Sequence, residues 1–503
     1  MAAAGKPQQT GLRMSTARGR WVLLATVLGS GIAAIDATAV GVALPSIGRD
    51  FGADLASLQW VVTAYAVTLA GFLLVGGALG DRYGRRRVFL IGAGWFAVAS
   101  LLCGIAPTAP ALVAARALQG IGAALLTPGS LALLQASFDP GDRARAIGAW
   151  SGLSGVATAV GPFLGGWLVE TLSWRLVFFV NLPLVAAVII IAARHVPEST
   201  AADAAGRVDL AGAVLVTGGL VGLSYGLIEG PDAGWGSPAV LGGLVIGVLL
   251  LAGFAVVERR VATPMLDLDL FRSRQFCAAN LVTFVVYASL GGALFLLPLQ
   301  LQQVGGYSPL AAGTALLPLT IIMLALSARS GALAERIGPR AQMTVGPIVA
   351  AAGFALLTRA AGDGGYRLDV LPGVLVLGLG LATVVAPLTS TALGAAPVEH
   401  AGIASAVNND VARTAQLLAV AVLPAAAGLT GDVYLDASRF ASGYRTALWI
   451  AAALCACGGL LAWLGIRNPA RVRPTAMPAP PAAPCRHCGI DAPPPVTDAA
   501  THL

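Results

Sequence analysis

The chain is poor in charge. Asp, Glu, Lys and Arg make up 11% of its 503 residues, against roughly 25% in a soluble globular protein. So little charge cannot clothe a water-exposed domain of this length. Histidine is scarcer, with four residues and none in the middle of an apolar run. A membrane-embedded enzyme needs His, Asp or Glu clustered at membrane depth, and no such cluster is present, so the chain is not expected to be an enzyme. Six Cys in 503 residues build no disulfide framework. Cys103, Cys277, Cys455 and Cys457 lie in or beside apolar runs and read as small buried hydrophobes. Cys485 and Cys488, in "CRHC", have no second pair after them, and His487 and His502 do not complete a four-ligand zinc site. No metal and no cofactor is expected. The net charge is +7, yet the basic residues are scattered over short segments, which is no nucleic-acid-binding pattern. A cleavable secretory leader is not expected either. The first apolar run, Trp21 to Leu44, is too long for one, contains Asp36 and is followed by many more.

What is abundant is hydrophobic residues, 57%, and Gly, 63 residues, with a mean hydropathy of +0.81. Small residues with few charges suit helices packed within a bilayer. A helix needs about 20 apolar residues to cross the hydrocarbon. Runs of that size fall at 20–44, 57–80, 88–106, 109–136, 144–168, 175–193, 210–228, 238–257, 276–301, 309–328, 341–358, 370–396, 401–428 and 445–466. The reading is an all-α integral membrane protein with fourteen spans. Longer connections at 194–209 and 258–275 set the seventh and eighth spans apart from two groups of six. The expected organisation is a cytoplasmic N-terminal segment (1–19), a six-helix half (20–193), a linker with two extra helices (194–275), a second six-helix half (276–466) and a disordered Pro/Ala-rich cytoplasmic tail (467–503). With the N-terminus inside, 23 of the 31 Lys and Arg fall in inner segments. The outer loops hold Arg49, Arg175, Arg359, Arg367, Arg439 and Arg445, and Arg116 and Arg413 lie within spans. That bias places both termini in the cytoplasm.

Between the second and third spans, "GALGDRYGRRR" packs one Asp and four Arg into seven residues. After the tenth span, "GALAERIGPR" echoes it. Gly77, Asp81, Arg82, Gly84 and Arg86 meet Gly331, Glu335, Arg336, Gly338 and Arg340 at an offset of 254. Leu44-Pro45 and Leu297-Pro298 repeat at 253. Two matches at nearly one offset argue for an internal duplication, the plan of many transporters. Asp81 at a helix end can meet Arg side chains and the N-terminus of a facing helix, and Gly77 and Gly84 permit close approach and a tight turn.

Four stretches now resemble one family. "GALGDRYGRRR" is similar to the loop motif after the second helix of the major facilitator superfamily. "RALQGIGAAL" resembles its Arg-x-x-Gln-Gly motif, and "GPFLGG" its Gly-Pro-x-x-Gly-Gly antiporter motif. "DATAVGVALPSI" resembles the first-helix motif of the fourteen-helix drug:proton antiporters. Gly41 stands where that motif usually has Asn, Ala157 where a Gly usually precedes Gly-Pro, and "TAQLLAVAV" follows Arg413 in place of a glycine run. The resemblance, over residues 20–466, implies a major facilitator fold and proton-coupled export of amphipathic small molecules across the plasma membrane by alternating access. It implies a conformational latch at Gly77, Asp81, Arg82, Gly84, Arg85 and Arg86, mirrored by Glu335, Arg336 and Arg340, which favours the outward-facing state. It implies proton coupling at Asp36 and Arg116.

Physical chemistry supports that last assignment. An ionised Asp at the bilayer centre costs about 2.5–3.5 kcal/mol and normally faces a cavity. Burial disfavours a charged carboxyl and a nearby guanidinium favours it. A carboxylate whose guanidinium contact breaks can therefore load and release a proton. Gly161, Pro162, Gly165 and Gly166 form a small, bent helix face for close packing. Tyr65, Gln119, Asn409, Asp410 and Arg413 are candidates to line a cavity, along with Gln59, Trp60, Asn181, Asn280, Tyr287 and Gln300. Asp410 and Arg413, three apart, can alternatively neutralise each other. The expected partners are a small-molecule substrate, protons and the bilayer, with the chain acting as a monomer. The alternatives are a dedicated exporter of a metabolite made by the same cell, a non-transporting sensor of the same fold, or a channel. A channel would not need the repeated latch.

The topology makes a direct prediction. Reporter fusions or cysteine labelling in the segments 45–56 and 302–308 should report the outside, and a cytoplasmic signal from either would overturn the orientation.

Overall fold

The structure is a computed structural model that describes residues 11–200, 209–261, 268–361, 365–396 and 401–468. One compact unit runs to Arg467 and a second begins at Asn468. The tail reading and the CRHC motif lie outside the described residues.

The described residues hold no strand, apart from one isolated bridge between Leu12 and Phe138. Fourteen long helices follow in order. They are α1 (Ala17–Phe51), α2 (Leu55–Tyr83), α3 (Arg85–Gly104), α4 (Ala109–Ser137), α5 (Pro140–Thr171), α6 (Leu176–His195) and α7 (Leu210–Ala233). Then come α8 (Pro238–Glu258), α9 (Arg274–Gln303), α10 (Pro309–Ile337), α11 (Pro339–Ala360), α12 (Tyr366–Gly394), α13 (Ala401–Ala426) and α14 (Ala437–Gly465). Thirteen are long and apolar enough to span a bilayer. The other, α13, has 26 residues, and Asn408, Asn409, Asp410, Arg413 and Gln416 lower its hydropathy. The fold is that of a multi-pass membrane protein, with six helices in each half and α7 and α8 between them.

Caps set many of the helix starts. Thr16, Asp54, Thr108, Ser237, Ser273, Ser308 and Asp436 each accept a backbone N–H of the first turn. Asp436 caps α14, so Arg439 and Arg445 stand on that helix and not in a loop. Two helices are broken. α6 divides at Val180. α10 divides after Thr314, where Pro318 has no N–H to continue the ladder. Cys103 and Cys455 are buried as expected. Cys277 is half-buried, its thiol donating to the Phe271 carbonyl at 2.9 Å, and Cys457 is exposed.

Prolines inside these helices create docking points. Proline leaves the carbonyl four residues back without its helical donor. Pro387 frees Thr383, and the Ser330 hydroxyl of α10 donates to that carbonyl at 2.9 Å. Pro128 frees Ala124, and Gly76 of α2 packs against that carbonyl. Gly76 and Ser330 are 254 residues apart, the offset of the repeated motif. The chain reverses at Gly84 (φ 108°) and Gly338 (φ 88°) in the same left-handed region, where glycine is favoured.

Gly76→Ala should be costly, since an added Cβ collides with the Ala124 carbonyl. We expect a loss of about 1–3 kcal/mol, read as a lower melting temperature in micelles. Gly148→Ala, where nothing lies within 4 Å, should melt like the parent. Equal melting of both variants would contradict the packing.

Candidate functional site

Asp36 and Arg116 meet inside the first half. Both are buried, at 0% and 1% exposure. Arg116 Nη1 lies 2.5 Å from Asp36 Oδ2. The other carboxylate oxygen accepts from Gln119 Nε2 and Asn181 Nδ2, both at 2.9 Å. Arg116 also donates to Gln119 Oε1 at 2.6 Å and, through Nε, to the Val61 carbonyl at 3.2 Å. Its guanidinium lies over the Tyr65 ring, 4.2 Å from the centroid. Ser100 Oγ accepts from Gln119 at 2.9 Å. Five helices, α1, α2, α3, α4 and α6, contribute to one network.

This corrects the expectation that Asp36 faces a cavity. Three donors satisfy the carboxylate and the Tyr65 ring covers the guanidinium, so the pair is sealed. Gln119 belongs to this network and not to a cavity wall. Asn181, a pocket candidate from sequence, is a donor to Asp36. Ser100 was not foreseen; its signal was a polar residue in an apolar helix, which at membrane depth needs a partner.

The charged knot makes its contacts at home. Asp81 accepts from Arg85 Nε and Nη2, each at 2.8 Å. The amides of Arg86 and Arg87 donate to Glu198 at 3.0 and 3.2 Å, and Arg86 Nη1 donates to the Val196 carbonyl at 3.1 Å. Asp81 was expected to meet the facing segment. Here its partner is the first turn of α3, because Gly84 turns the chain back and brings Arg85 within reach. Arg82 stacks beside Tyr83. In the echo, Glu335 and Arg336 are exposed and Arg340 Nε donates to the Trp463 carbonyl at 3.0 Å.

The glycine face of α5 works on two sides. Gly161 and Gly165 abut Thr38 and Ala39 of α1, and Gly166 abuts Pro309 and Leu310 of α10. The Pro162 carbonyl rests against Gly313 of α10. Nearby, Glu170 accepts the Leu310 N–H at 3.0 Å. Gln302 Nε2 reaches the Val42 carbonyl at 2.9 Å. Gln59 Nε2 donates to the carbonyls of Val420 at 2.6 Å and Ala421 at 3.3 Å. Val420 is the carbonyl freed by Pro424. These contacts join the halves at one end of the molecule. Toward the other end α5 stands clear, with no atom within 4 Å of a side chain added at Gly148, Gly152 or Gly155. Ile321 and Leu324 of α10 are exposed there. Gln59 thus helps hold the closed end, while Trp60 Nε1 donates to Glu229 of α7 at 2.9 Å.

Beyond the Gln59 contact, α2 carries Tyr65, and α13 carries Arg413 opposite it with Asp410 one turn further on. Both charged residues are half-buried. They form no ion pair among the described residues, and Asp410 Oδ1 is buried without a donor. Mutual neutralisation by contact is therefore not realised. Asn408 turns into its own half, donating to Asn280 at 3.1 Å and Thr283 at 2.8 Å, and Asn409 is exposed. Gln300 is fully buried.

A family model described as Major Facilitator Superfamily matches residues 26–415. The chain belongs to this superfamily. Among its curated relatives is the tetracenomycin C resistance and export protein of Streptomyces glaucescens, 38% identical over 83% of this chain and 78% of the relative. The puromycin resistance protein of Streptomyces alboniger is 37% identical over 88% and 90%. The multidrug resistance protein Stp of Mycobacterium tuberculosis is 38% identical over 76% and 71%. Solved structures agree on the fold. A POT family transporter in complex with a thioalcohol-conjugated peptide overlays with a TM-score of 0.68 at 12% identity, covering 91% of this chain and 98% of that one. A D-xylose–proton symporter overlays with a TM-score of 0.64 at 16% identity, covering 90% and 99%.

Gln119→Leu tests the network. It removes a donor to Asp36, a donor to Ser100 and an acceptor for Arg116. Each buried group left unmatched costs about 1–3 kcal/mol, so the variant should melt well below the parent, whereas a parent-like melt would show that the network carries no weight.

Proposed function

We propose that the protein is a secondary active exporter that expels amphipathic small molecules in exchange for protons, by alternating access across the plasma membrane. The observation that carries this reading is the sealed Asp36–Arg116 pair, one layer away from a cleft between halves closed at a single end. The resistance and export names of the relatives support the direction of transport. With both termini cytoplasmic, as the basic residues argue, the closed end faces outside and the cleft opens inward.

In this scheme Asp36 is the coupling acid. Arg116, Gln119 and Asn181 hold its charged form while the cleft faces the cytoplasm. When the halves rock and the network parts, the carboxyl accepts a proton from outside. On return Arg116 re-engages it, and the proton leaves inward. The α5 glycines let α1, α5 and α10 close without a gap, the outer seal of the inward-facing state. Asp81 and the Arg residues of the knot, with Glu335, Arg336 and Arg340, form the latch of the opposite state, which is disengaged here. Asp410, Arg413 and Tyr65 border the substrate path. The organisation into 20–193, 194–275 and 276–466 gives two rocking halves and a linker pair, working as a monomer. Names of relatives that specify one compound favour a dedicated exporter as the second reading, and the breadth of substrates transported decides between them.

The test is uptake of aromatic dyes into everted vesicles, with and without a pH gradient. The parent should show gradient-driven accumulation. Asp36→Asn keeps the side chain's shape but cannot exchange a proton, so it should lose at least tenfold of that uptake while remaining inserted. Near-parental uptake by the variant would exclude Asp36 as the coupling acid.

A further inference from the structure

Asp410 and Arg413 are the charged side chains of this region that the coupling scheme leaves unused, and Arg413 is the one with hydrogen-bond donors to offer. Its position follows from the helix pair it sits on. α2 and α13 run antiparallel, tied by Gln59 to Val420 and Ala421. Seven residues before Val420 on α13 therefore lies opposite Tyr65 and Ala66 on α2. Leu417 sits between, packed with Val67, Ala70 and Leu220. The charge of Arg413 acts on the Tyr65 phenol across the interface and on Asp410 one turn away.

No hydrogen-bond acceptor, carboxylate or ring among the described residues meets this guanidinium. Its nitrogens are not among the buried unmatched polar atoms and the residue is half-buried, so part of the guanidinium is accessible from outside the protein. That is five N–H donors in a fixed planar fork, at a depth where an uncompensated guanidinium is costly. Asp410 is the obvious acceptor, on the same helix face three residues away. The structure does not pair them; one Asp410 oxygen is sealed off with no donor. Asp36 is not available either, since Arg116, Gln119 and Asn181 occupy it. The remaining group opposite Arg413 is Tyr65, whose ring is already stacked on Arg116. Protein donors at membrane depth are rarely left unmatched. A guanidinium in that state, facing a cleft, fits a planar oxygen pair best, because its fork matches a carboxylate bidentately.

We propose that Arg413 is the substrate-recognition residue of the cleft, and that the substrates are amphipaths bearing an acidic oxygen group, a carboxylate or an equivalent enolate or phenolate. The Arg413 guanidinium holds that group, and the apolar body lies along the cleft against α2. Asp410 acts against binding, since its negative charge stands one turn from the anion. The assignment rests on the cleft being the substrate path, but its test needs no transport.

The experiment is equilibrium binding to the purified full chain in neutral-lipid nanodiscs, read by tryptophan-to-pyrene energy transfer. Three probes share the pyrene body and differ in the head group: pyrenebutyrate, its methyl ester and pyrenebutyl-trimethylammonium. The parent should bind pyrenebutyrate about tenfold tighter than the other two. Arg413→Gln should abolish the preference, and Arg413→Lys, which keeps the charge but loses the fork, should retain part of it. Asp410→Asn should tighten pyrenebutyrate binding several-fold, an outcome a purely structural Arg413 would not produce. The inference is overturned if the parent fails to bind pyrenebutyrate, or prefers the ester or the cation. It is equally overturned if the preference survives in folded Arg413→Gln, or if Asp410→Asn binds no tighter. Because no gradient is applied, failure of proton coupling would leave these affinities unmoved.

Discussion

Everything in the first half is arranged around one buried charge pair. Taking a carboxylate and a guanidinium out of water costs several kcal/mol per ion, and the pair recovers that only with good geometry and further hydrogen bonds. The geometry here requires Asp36 on α1, Arg116 and Gln119 on α4, Ser100 on α3, Asn181 on α6 and the Val61 carbonyl on α2 to stay at fixed positions. Five helices are thereby locked together. Well-packed apolar residues would stabilise such a half as well or better, so stability does not account for the carboxylate. Under the proposed scheme, its capacity to carry a proton does.

The seam between the halves has the opposite character. Its polar contacts are single, mostly neutral bonds: Gln59 to Val420, Gln302 to Val42, and the Leu310 amide to Glu170. Such bonds are worth about 0.5–1.5 kcal/mol each, rising to about 3 where a charged group takes part. A few of them hold a state without trapping it. The Val420 carbonyl is available because Pro424 cannot donate to it, so the seam's shortest bond costs α13 no hydrogen bond of its own. The same device serves inside the second half, where Ser330 takes the Thr383 carbonyl freed by Pro387. One local property of proline supports both a joint within a half and a joint between the halves. What distinguishes them is whether the two helices belong to the same half.

Much of this was legible in the residues. Apolar runs gave the number and order of helices, and the echo between Gly77–Arg86 and Gly331–Arg340 gave the duplication. Asp36 and Arg116 stood out because charge at membrane depth must be explained. Their partners were less visible. Asn181 and Ser100 are ordinary polar residues, and only the crossing of α3, α4 and α6 brings them to Asp36. Pairing of Asp410 with Arg413 was a sound expectation from spacing, yet spacing fixes only which face two side chains share. Which way each turns depends on α2 and α9 packed around them. The partner of Asp81 was not fixed by spacing, since a carboxylate at that helix end can meet a facing segment or the next helix; the turn at Gly84 brings Arg85 within reach.

The extra helices make the two sides of the seam unequal. α7 lies along the junction of α2 and α13. It is fixed to α2 by a polar contact, Trp60 Nε1 donating to Glu229 at 2.9 Å, and by Thr217 seated against Gly71. Against α13 it offers apolar surface, with Val216 and Leu220 near Leu417 and Leu418, and Ile228 near Ala421. Apolar contact is non-directional, so it tolerates sliding that a hydrogen bond does not. The junction of α5 with α10 has no such cover; there the seal depends on glycines and on backbone meeting backbone. One side is therefore closed by a third helix that can stay with the first half, and the other only by the fit of the two helices that meet there.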